Sequence, residues 1–217
     1  MNLSEAIQTF KQNFVKNVPD KTLQTMQAAT EALVESNLAE KALKMGDRLP
    51  DFELPNATGQ IISSQNLLEQ GPLVINFYRG AWCPYCNLEL RAYQAILPDL
   101  NQFGARLVAI SPNLPDHSLS SIEKHQLKFE VLSDLGNRYA RKCGLVFTLP
   151  EAVREVYAGF DIDLSSYNGD DRFELPLPAT FVVDASGDIR LRYVNADYTQ
   201  RLEPGMVLDT LREIVDR

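Results

Sequence analysis

Two cysteines separated by two residues are the part of the sequence best suited to chemistry. Cys83 and Cys86 lie in the stretch Trp82-Cys83-Pro84-Tyr85-Cys86. A thiolate is the nucleophile in disulfide exchange and in peroxide reduction, so a reactive cysteine needs a pKa lowered from about 8.5. On a helix this spacing puts the sulfurs one turn apart, close enough to form a disulfide with little rearrangement. The pair therefore predicts a two-electron redox couple.

A zinc site is the main alternative use of a Cys-x-x-Cys pair. Structural zinc takes four ligands, usually from paired clusters, and outside the pair the chain has only Cys143, His117 and His125. The sequence therefore favours redox chemistry over metal binding. No phosphate-cradling glycine loop or dinucleotide fingerprint is present, so no bound organic cofactor is expected. Cys143 is predicted to be structural, although a role as a distal resolving cysteine stays open.

A strand pattern before the cysteines and a helix pattern after them predict how the pair is positioned. Residues 73–78, LVINFY, have the composition of a buried central strand, and residues 83–102 have helical apolar spacing. The cysteines are thus expected at the N-terminal end of a helix. Unpaired backbone N–H groups and the helix dipole favour an anion at that end.

The rest of the chain from residue 47 alternates strand and helix patterns. This alternation predicts parallel strands, and hence an α/β fold with a mixed central sheet and helices on both faces. The polar segment 161–172 is predicted to be a loop. The other predicted elements are a hairpin at 52–62, strands at 107–110 and 129–132, helices at 116–126, 137–144 and 150–158, a hairpin at 180–194 and a helix at 203–216.

Two amphipathic helices are predicted before this domain, over residues 3–18 and 21–44. We therefore expect an N-terminal helical extension over residues 1–45 and one main domain over residues 46–217. A helical hairpin of this kind cannot stand alone. Its apolar face must pack on the main domain or on a second subunit, which leaves a homodimer through these helices open.

Composition narrows the class of partner. The net charge of −8 repels phosphate backbones and anionic membrane surfaces, so neither nucleic acid nor membrane is an expected partner. The N-terminus lacks the basic start and apolar run of a targeting segment, and no run of roughly 18 apolar residues occurs. Sparse cysteines in a chain of this kind indicate a cytoplasmic protein.

The segment around the cysteines resembles the peroxiredoxins, that is, the alkyl hydroperoxide reductase and thiol-specific antioxidant family. The resemblance spans about residues 46–216 and rests on PDFELPNATG, LLEQGPLVIN, FYRGAWCPYCNLEL and ATFVVDASG. It implies a thioredoxin-like fold and a thiol-dependent peroxidase. Such an enzyme reduces hydrogen peroxide or organic hydroperoxides through a cysteine sulfenic acid and, here, a Cys83–Cys86 disulfide, which thioredoxin, glutathione or another thiol reductant recycles.

The family pattern Thr-x-x-Cys-x-x-Glu assigns candidate roles. Cys83 takes the Thr position, Cys86 the position of the cysteine that attacks peroxide, and Glu89 the Glu position. Trp82 and Tyr85 flank the sulfurs and are expected to shield the site or contact a substrate or partner.

The chain departs from the family at the position of an arginine. Peroxiredoxins usually place this residue three positions before the Phe of a late strand, where Pro178 stands here. Arg79 and Arg91 are candidates to supply the missing positive charge. Thioredoxins have a proline at the Pro178 position, which makes this X-Pro bond a candidate for the cis form.

Two other functions stay open. As a thioredoxin-like protein disulfide reductase, the chain would use Cys83 as nucleophile and Cys86 as resolving cysteine, with the Pro178 edge accepting an extended chain. As a non-enzymatic redox-sensing module, it would bind a partner through the N-terminal hairpin. A peroxidase is oxidised faster by peroxide than by a protein disulfide, and a protein disulfide reductase shows the opposite order. Comparing the two rates therefore separates these functions.

Overall fold

A five-stranded mixed sheet lies at the centre of the computed structural model, which describes residues 2–216. Its strand order is β5-β4-β3-β8-β9, with β3, β4 and β5 parallel and β8 antiparallel to both β3 and β9. The predicted mixed α/β sheet is confirmed. The strands are Glu53–Pro55 (β1), Ile61–Ser63 (β2), Leu73–Phe77 (β3), Arg106–Ser111 (β4), Glu130–Ser133 (β5), Val146–Thr148 (β6), Glu174–Pro176 (β7), Ala179–Val183 (β8) and Ile189–Val194 (β9).

The helices cover both faces of this sheet. α1 begins at a capping box, in which the side chain of Asn2 accepts from the Glu5 backbone N–H and the Glu5 carboxylate accepts from that of Asn2. α4, α5 and α9 begin with proline, which suits the first helical turn. The helices are Leu3–Asn17 (α1), Asp20–Glu35 (α2), Ser64–Leu68 (α3), Pro84–Gln102 (α4), Pro115–His125 (α5), Arg138–Lys142 (α6), Glu151–Gly159 (α7), Leu164–Asn168 (α8) and Pro204–Val215 (α9).

Alternating side chains of the central strands divide the core into two layers. On one face Val74 packs with Tyr93 of α4 and Leu211 of α9. On the other face Phe77 stacks on Tyr139 of α6, with 5.8 Å between ring centroids. Burial of these large apolar side chains holds α4, and therefore the cysteines at its start, in a fixed position on the sheet.

The two N-terminal helices pack on the main domain of the same chain. Leu3 and Ile7 of α1 are buried against the start of α4, and the Phe10 ring lies edge-on to Tyr85 at 5.1 Å between centroids. Met26 of α2 packs against the cluster that surrounds α7. Both helices thus lie over the end of the sheet that carries the cysteines.

The structure corrects two local expectations and adds one strand pair that was not predicted. The helix predicted over 21–44 ends at Glu35, because Asn37 adopts a left-handed conformation (φ 54°) and a 3-10 turn follows at Leu38–Lys41. The predicted loop 161–172 contains α8, which begins where the Asp163 side chain accepts from the Ser166 backbone N–H at 3.1 Å. The antiparallel pairing of β6 with β7 was not predicted.

The bond before Pro178, a candidate for the cis form, is trans, since no peptide bond within residues 2–216 is cis. The Leu177 N–H donates to the Leu145 carbonyl at 2.8 Å, and the Pro178 carbonyl accepts from the Asn195 N–H at 3.4 Å. These contacts keep the chain extended between β7 and β8, which a trans peptide satisfies. None of the helices in that range has the length and apolar composition that a membrane span needs.

Candidate active site

Cys83 and Cys86 lie where β3 passes into α4, as the helix pattern predicts. Cys83 is the N-cap residue, Pro84 occupies the first turn, and Cys86 follows in the same turn. Both cysteines are free thiols, and they are only 1% and 0% exposed. The site is therefore a dithiol at a helix N-terminus, closed off from bulk water.

The loop before the cysteines is shaped by close backbone contacts. Gly80 has φ +151°, and a Cβ added there would lie 2.3 Å from Nε1 of Trp82, so any other residue would force the loop or the indole to shift. The Ala81 N–H donates to Oδ1 of Asn113 at 2.8 Å, and Nδ2 of Asn113 donates to Oδ1 of Asn168 at 2.8 Å. These buried amides fix the loop relative to β4 and α8.

Two N–H donors converge on the sulfur of Cys86. Nη2 of Arg201 lies 3.3 Å from Sγ, and the backbone N of Arg79 lies 3.4 Å from it. Nη1 of Arg201 is paired with the carboxylate of Glu89, and its Nε donates to the Tyr198 carbonyl at 2.9 Å. The carboxylate and the carbonyl hold the buried guanidinium in position against the sulfur.

Arg79 is placed beside the other sulfur. Its Nη1 lies 3.7 Å from Sγ of Cys83, and its Nη2 donates to the hydroxyl of Tyr157. The guanidinium carbon stands 4.0 Å from the ring centroid of Tyr198 and 4.9 Å from that of Trp82. Aromatic faces thus surround this cation. Within residues 2–216 it forms no ion pair with a carboxylate.

The two thiols share one negative charge. Burial raises the pKa of Cys83, but a hydrogen bond from Cys86 and the charges of Arg79 and Arg201 outweigh it and lower that pKa to about 5. Burial, the hydrogen bond to Cys83 and the negative charge of Cys83 raise the pKa of Cys86 well above its ordinary value. At neutral pH the pair therefore carries one thiolate and one proton.

The other predicted site residues are Trp82, Tyr85 and Pro178. Trp82 packs on Tyr157, and Tyr85 lies edge-on to Tyr198, so aromatic rings cover the sulfurs. Pro178 is buried between β7 and β8, and no hydrogen bond joins it to either cysteine in the described part of the chain.

Arg91 and Cys143 lie away from the sulfurs. Arg91 is exposed, and five residues beyond Cys86 it points to another side of α4, so the expectation that it supplies charge at the site is wrong. Cys143 is packed in the opposite core layer beside Tyr139, where burial raises its pKa to about 12. Its thiol is therefore protonated at neutral pH.

Sequence reasoning missed Arg201, Tyr157 and Tyr198. Arg201 lies 115 residues from Cys86 in the polar segment between β9 and α9, where no spacing pattern distinguishes an active-site arginine from a solvated one. The only signal was indirect. Pro178 stands where an arginine is expected, so a compensating charge had to come from elsewhere.

A thiolate-forming dithiol on this sheet defines a thiol oxidoreductase of the thioredoxin-like fold. Comparison with known proteins then assigns the family. Residues 45–192 match the model of the AhpC/TSA family, so the chain belongs to that family. The resemblance to peroxiredoxins is confirmed, and with it the prediction of a thiol-dependent peroxidase.

Individual relatives agree with this assignment. A putative peroxiredoxin of Mycobacterium tuberculosis (strain H37Rv) is 30% identical over 103 residues, which cover 48% of this chain and 67% of the relative. Peroxiredoxin Bcp of Escherichia coli (strain K12) is 26% identical over 171 residues, 79% of this chain and 97% of the relative. The crystal structure of peroxidoxin BcpB from M. tuberculosis superposes with a TM-score of 0.63 at 24% identity, covering 79% and 98% of the two chains. This last likeness supports the fold.

Proposed function

We propose that Cys86 attacks the peroxide and that Cys83 resolves the product. The Cys86 thiolate bonds to one peroxide oxygen, the O–O bond breaks, and the other oxygen leaves as water or an alcohol after taking a proton. Cys83 then attacks the sulfenic acid on Cys86, releasing water and forming the Cys83–Cys86 disulfide. A thiol reductant such as thioredoxin or glutathione returns both cysteines to thiols.

The observation that carries this assignment is the pair of donors at Cys86. The Arg201 guanidinium and the Arg79 backbone N–H both point at its sulfur, at 3.3 and 3.4 Å. Negative charge is present on this sulfur before the attack, and it develops on the leaving oxygen during the attack. Fixed donors in a buried site stabilise such charge without reorganisation. Glu89 acts on Cys86 through Arg201, as a positioning residue.

The proton shared by the two thiols makes this order feasible. At rest the negative charge is on Cys83, whose pKa is about 5. Transfer of the Cys86 proton to Cys83 places the charge on Cys86, where Arg201 donates to it. After attack, Cys83 gives this proton to the leaving oxygen and becomes the thiolate that resolves the sulfenic acid. The charges of Arg79 and Arg201 favour that loss of the proton.

A protein disulfide reductase is the second candidate, because Cys83 is the N-cap residue with the lower pKa. Against it stands the burial of Cys83, which is 1% exposed beneath aromatic rings. Attack by a peroxide requires less opening of the site than attack on a disulfide of another protein does. Burial therefore favours the peroxidase.

The test compares wild type with Cys83→Ser, Cys86→Ser and the control Cys143→Ser. Each is assayed for dithiothreitol-driven consumption of hydrogen peroxide and for reduction of insulin disulfides. We expect peroxidase activity in wild type, Cys143→Ser and, at a lower turnover, Cys83→Ser, and its loss in Cys86→Ser. Insulin reduction that exceeds peroxide consumption and depends on Cys83 would instead establish the reductase.

Two further properties belong to this proposal. A cytoplasmic location fits a dithiol that must be reduced after each turnover. A homodimer through α1 and α2 is supported by Val15 and Val34, which are 51% and 49% exposed on these helices.

A further inference from the structure

An apolar cavity of about 230 Å³ lies between α2 and α7. Met26, Ala29 and Leu33 of α2 form one wall, and Val153 of α7 forms another. The residues that form its apolar wall on α2 precede the segment 45–192 that matches the family. This wall is therefore supplied by a part of the chain outside the family match.

The cavity ends at the active site. Arg79 lines it, is 2% exposed, and lies 3.7 Å from Sγ of Cys83 through Nη1. Its Nε has no hydrogen-bond partner within the described residues, although the residue is almost fully buried. An unpartnered N–H on a buried cation is costly unless an acceptor binds there. The cavity thus combines an apolar body with one cationic end.

We propose that α2 builds a pocket for the apolar body of an organic hydroperoxide, whose O–OH group binds at Arg79. This inference rests on the proposed peroxidase function. The hydroperoxide group accepts from the unpartnered Nε of Arg79, the guanidinium whose Nη1 lies 3.7 Å from Sγ of Cys83, and so comes to lie next to the cysteine pair. Ligand pockets typically run from roughly 300 to 1,000 Å³, so this smaller cavity suits a single ring or a short alkyl chain. Hydrogen peroxide has no apolar group that could occupy this cavity.

Ala29 and Ala28 provide a matched pair of variants to test the pocket. Ala29 lines the cavity and is half-buried, whereas its neighbour Ala28 is exposed on the same helix. Ala29→Phe fills the cavity, and we expect kcat/KM for cumene hydroperoxide to fall about tenfold while that for hydrogen peroxide stays within twofold of wild type. Ala28→Phe is expected to leave both values unchanged. Equal losses for both peroxides, or no loss for either, would overturn the pocket.

A binding measurement decides the same point without turnover. Cumyl alcohol, the product of cumene hydroperoxide, is titrated into wild-type protein and both variants, and Trp82 fluorescence is followed. We expect saturable binding to wild type and Ala28→Phe and at least tenfold weaker binding to Ala29→Phe. No binding to wild type, or equal binding to all three, contradicts the pocket. Failure of wild type to reduce either peroxide contradicts the peroxidase function instead.

Discussion

Arg201 places a positive charge at Cys86 from a position that the family pattern does not anticipate. The pattern identifies Cys83, Cys86 and Glu89 because their spacing follows from one helix. At the position where the family has an arginine, this chain has Pro178. Arg201 comes from a loop far along the chain, and its approach to the sulfur depends on how β9 and α9 pack on the sheet. The local half of the site was thus predictable from sequence, and the half supplied by tertiary packing was not.

Replacing Arg201 tests its effect on the attacking sulfur. Arg201→Met keeps much of the side-chain volume but removes the donor at 3.3 Å from Sγ of Cys86. Loss of one fixed donor of this kind typically costs about 10²- to 10³-fold in rate. We expect a fall of that order in the second-order rate constant for oxidation by hydrogen peroxide, measured by rapid mixing. The Arg201→Met/Glu89→Gln double variant controls for the carboxylate left unpaired, and a rate unchanged in both would contradict the assignment.

The shared charge of the cysteines predicts how stability depends on pH. In the folded protein the pKa of Cys83 is lowered from 9.0 to about 5, so between these values the unfolded chain binds more protons. The free energy of unfolding of the reduced protein should therefore rise from pH 5 to about pH 8.5, by at most about 1.4 kcal/mol per pH unit. This contribution is lost as the pH falls through 5.

Urea unfolding of reduced wild type and of the Cys83→Ser/Cys86→Ser double variant, at several pH values, measures that difference. Because the double variant lacks both thiols, the other titrating groups cancel in the comparison. If the difference between the two free energies of unfolding stays constant from pH 5 to 8.5, the pKa of Cys83 is not lowered in the folded protein.

The loop between β3 and α4 connects a buried strand to the helix whose first turn carries the thiols. Its element types were predictable, because LVINFY and the helical spacing after it are strong patterns. The break after Glu35 and the pairing of β6 with β7 were not, because an asparagine in a left-handed conformation and strands of three residues leave weak signals. Both unpredicted features lie around the apolar cavity.

Substitution of Gly80 tests how much this loop contributes to stability and to the reaction with peroxide. Gly80→Ala adds a Cβ within 2.3 Å of Nε1 of Trp82 at φ +151°, so the loop must shift. We expect a loss of about 1–3 kcal/mol in the free energy of unfolding, together with slower oxidation by peroxide. Gly205→Ala in α9 is the control, since a Cβ there meets nothing within 4 Å. Equal stability of the two variants would argue against a strained loop.

The whole molecule buries two guanidinium groups beside a carboxylate and one thiolate. In the reduced protein the charges of Arg79 and Arg201 are balanced by Glu89 and the ionised thiol. Oxidation to the Cys83–Cys86 disulfide removes the thiolate and leaves one buried positive charge without a partner. Loss of a buried partner typically costs about 3–5 kcal/mol, whereas closing so short a loop contributes about 2 kcal/mol.

The oxidised protein should consequently be less stable than the reduced one, by about 1–3 kcal/mol at pH 7. Denaturant unfolding of both forms, with Cys143→Ser used to prevent exchange with the third thiol, measures this difference. A more stable oxidised form would mean that Arg79 finds another acceptor or that water enters the site on oxidation.

Which sulfur reacts with peroxide is decided by rapid mixing of the reduced protein with hydrogen peroxide. The change is followed by fluorescence of Trp82, the single tryptophan, which packs against Arg79. We expect wild type and Cys83→Ser to be oxidised far faster than a free thiol, with a sulfenic acid accumulating on Cys86 in the variant, and Cys86→Ser to lose this phase. Rapid oxidation of Cys86→Ser, or oxidation of wild type no faster than that of a free thiol, would contradict the account.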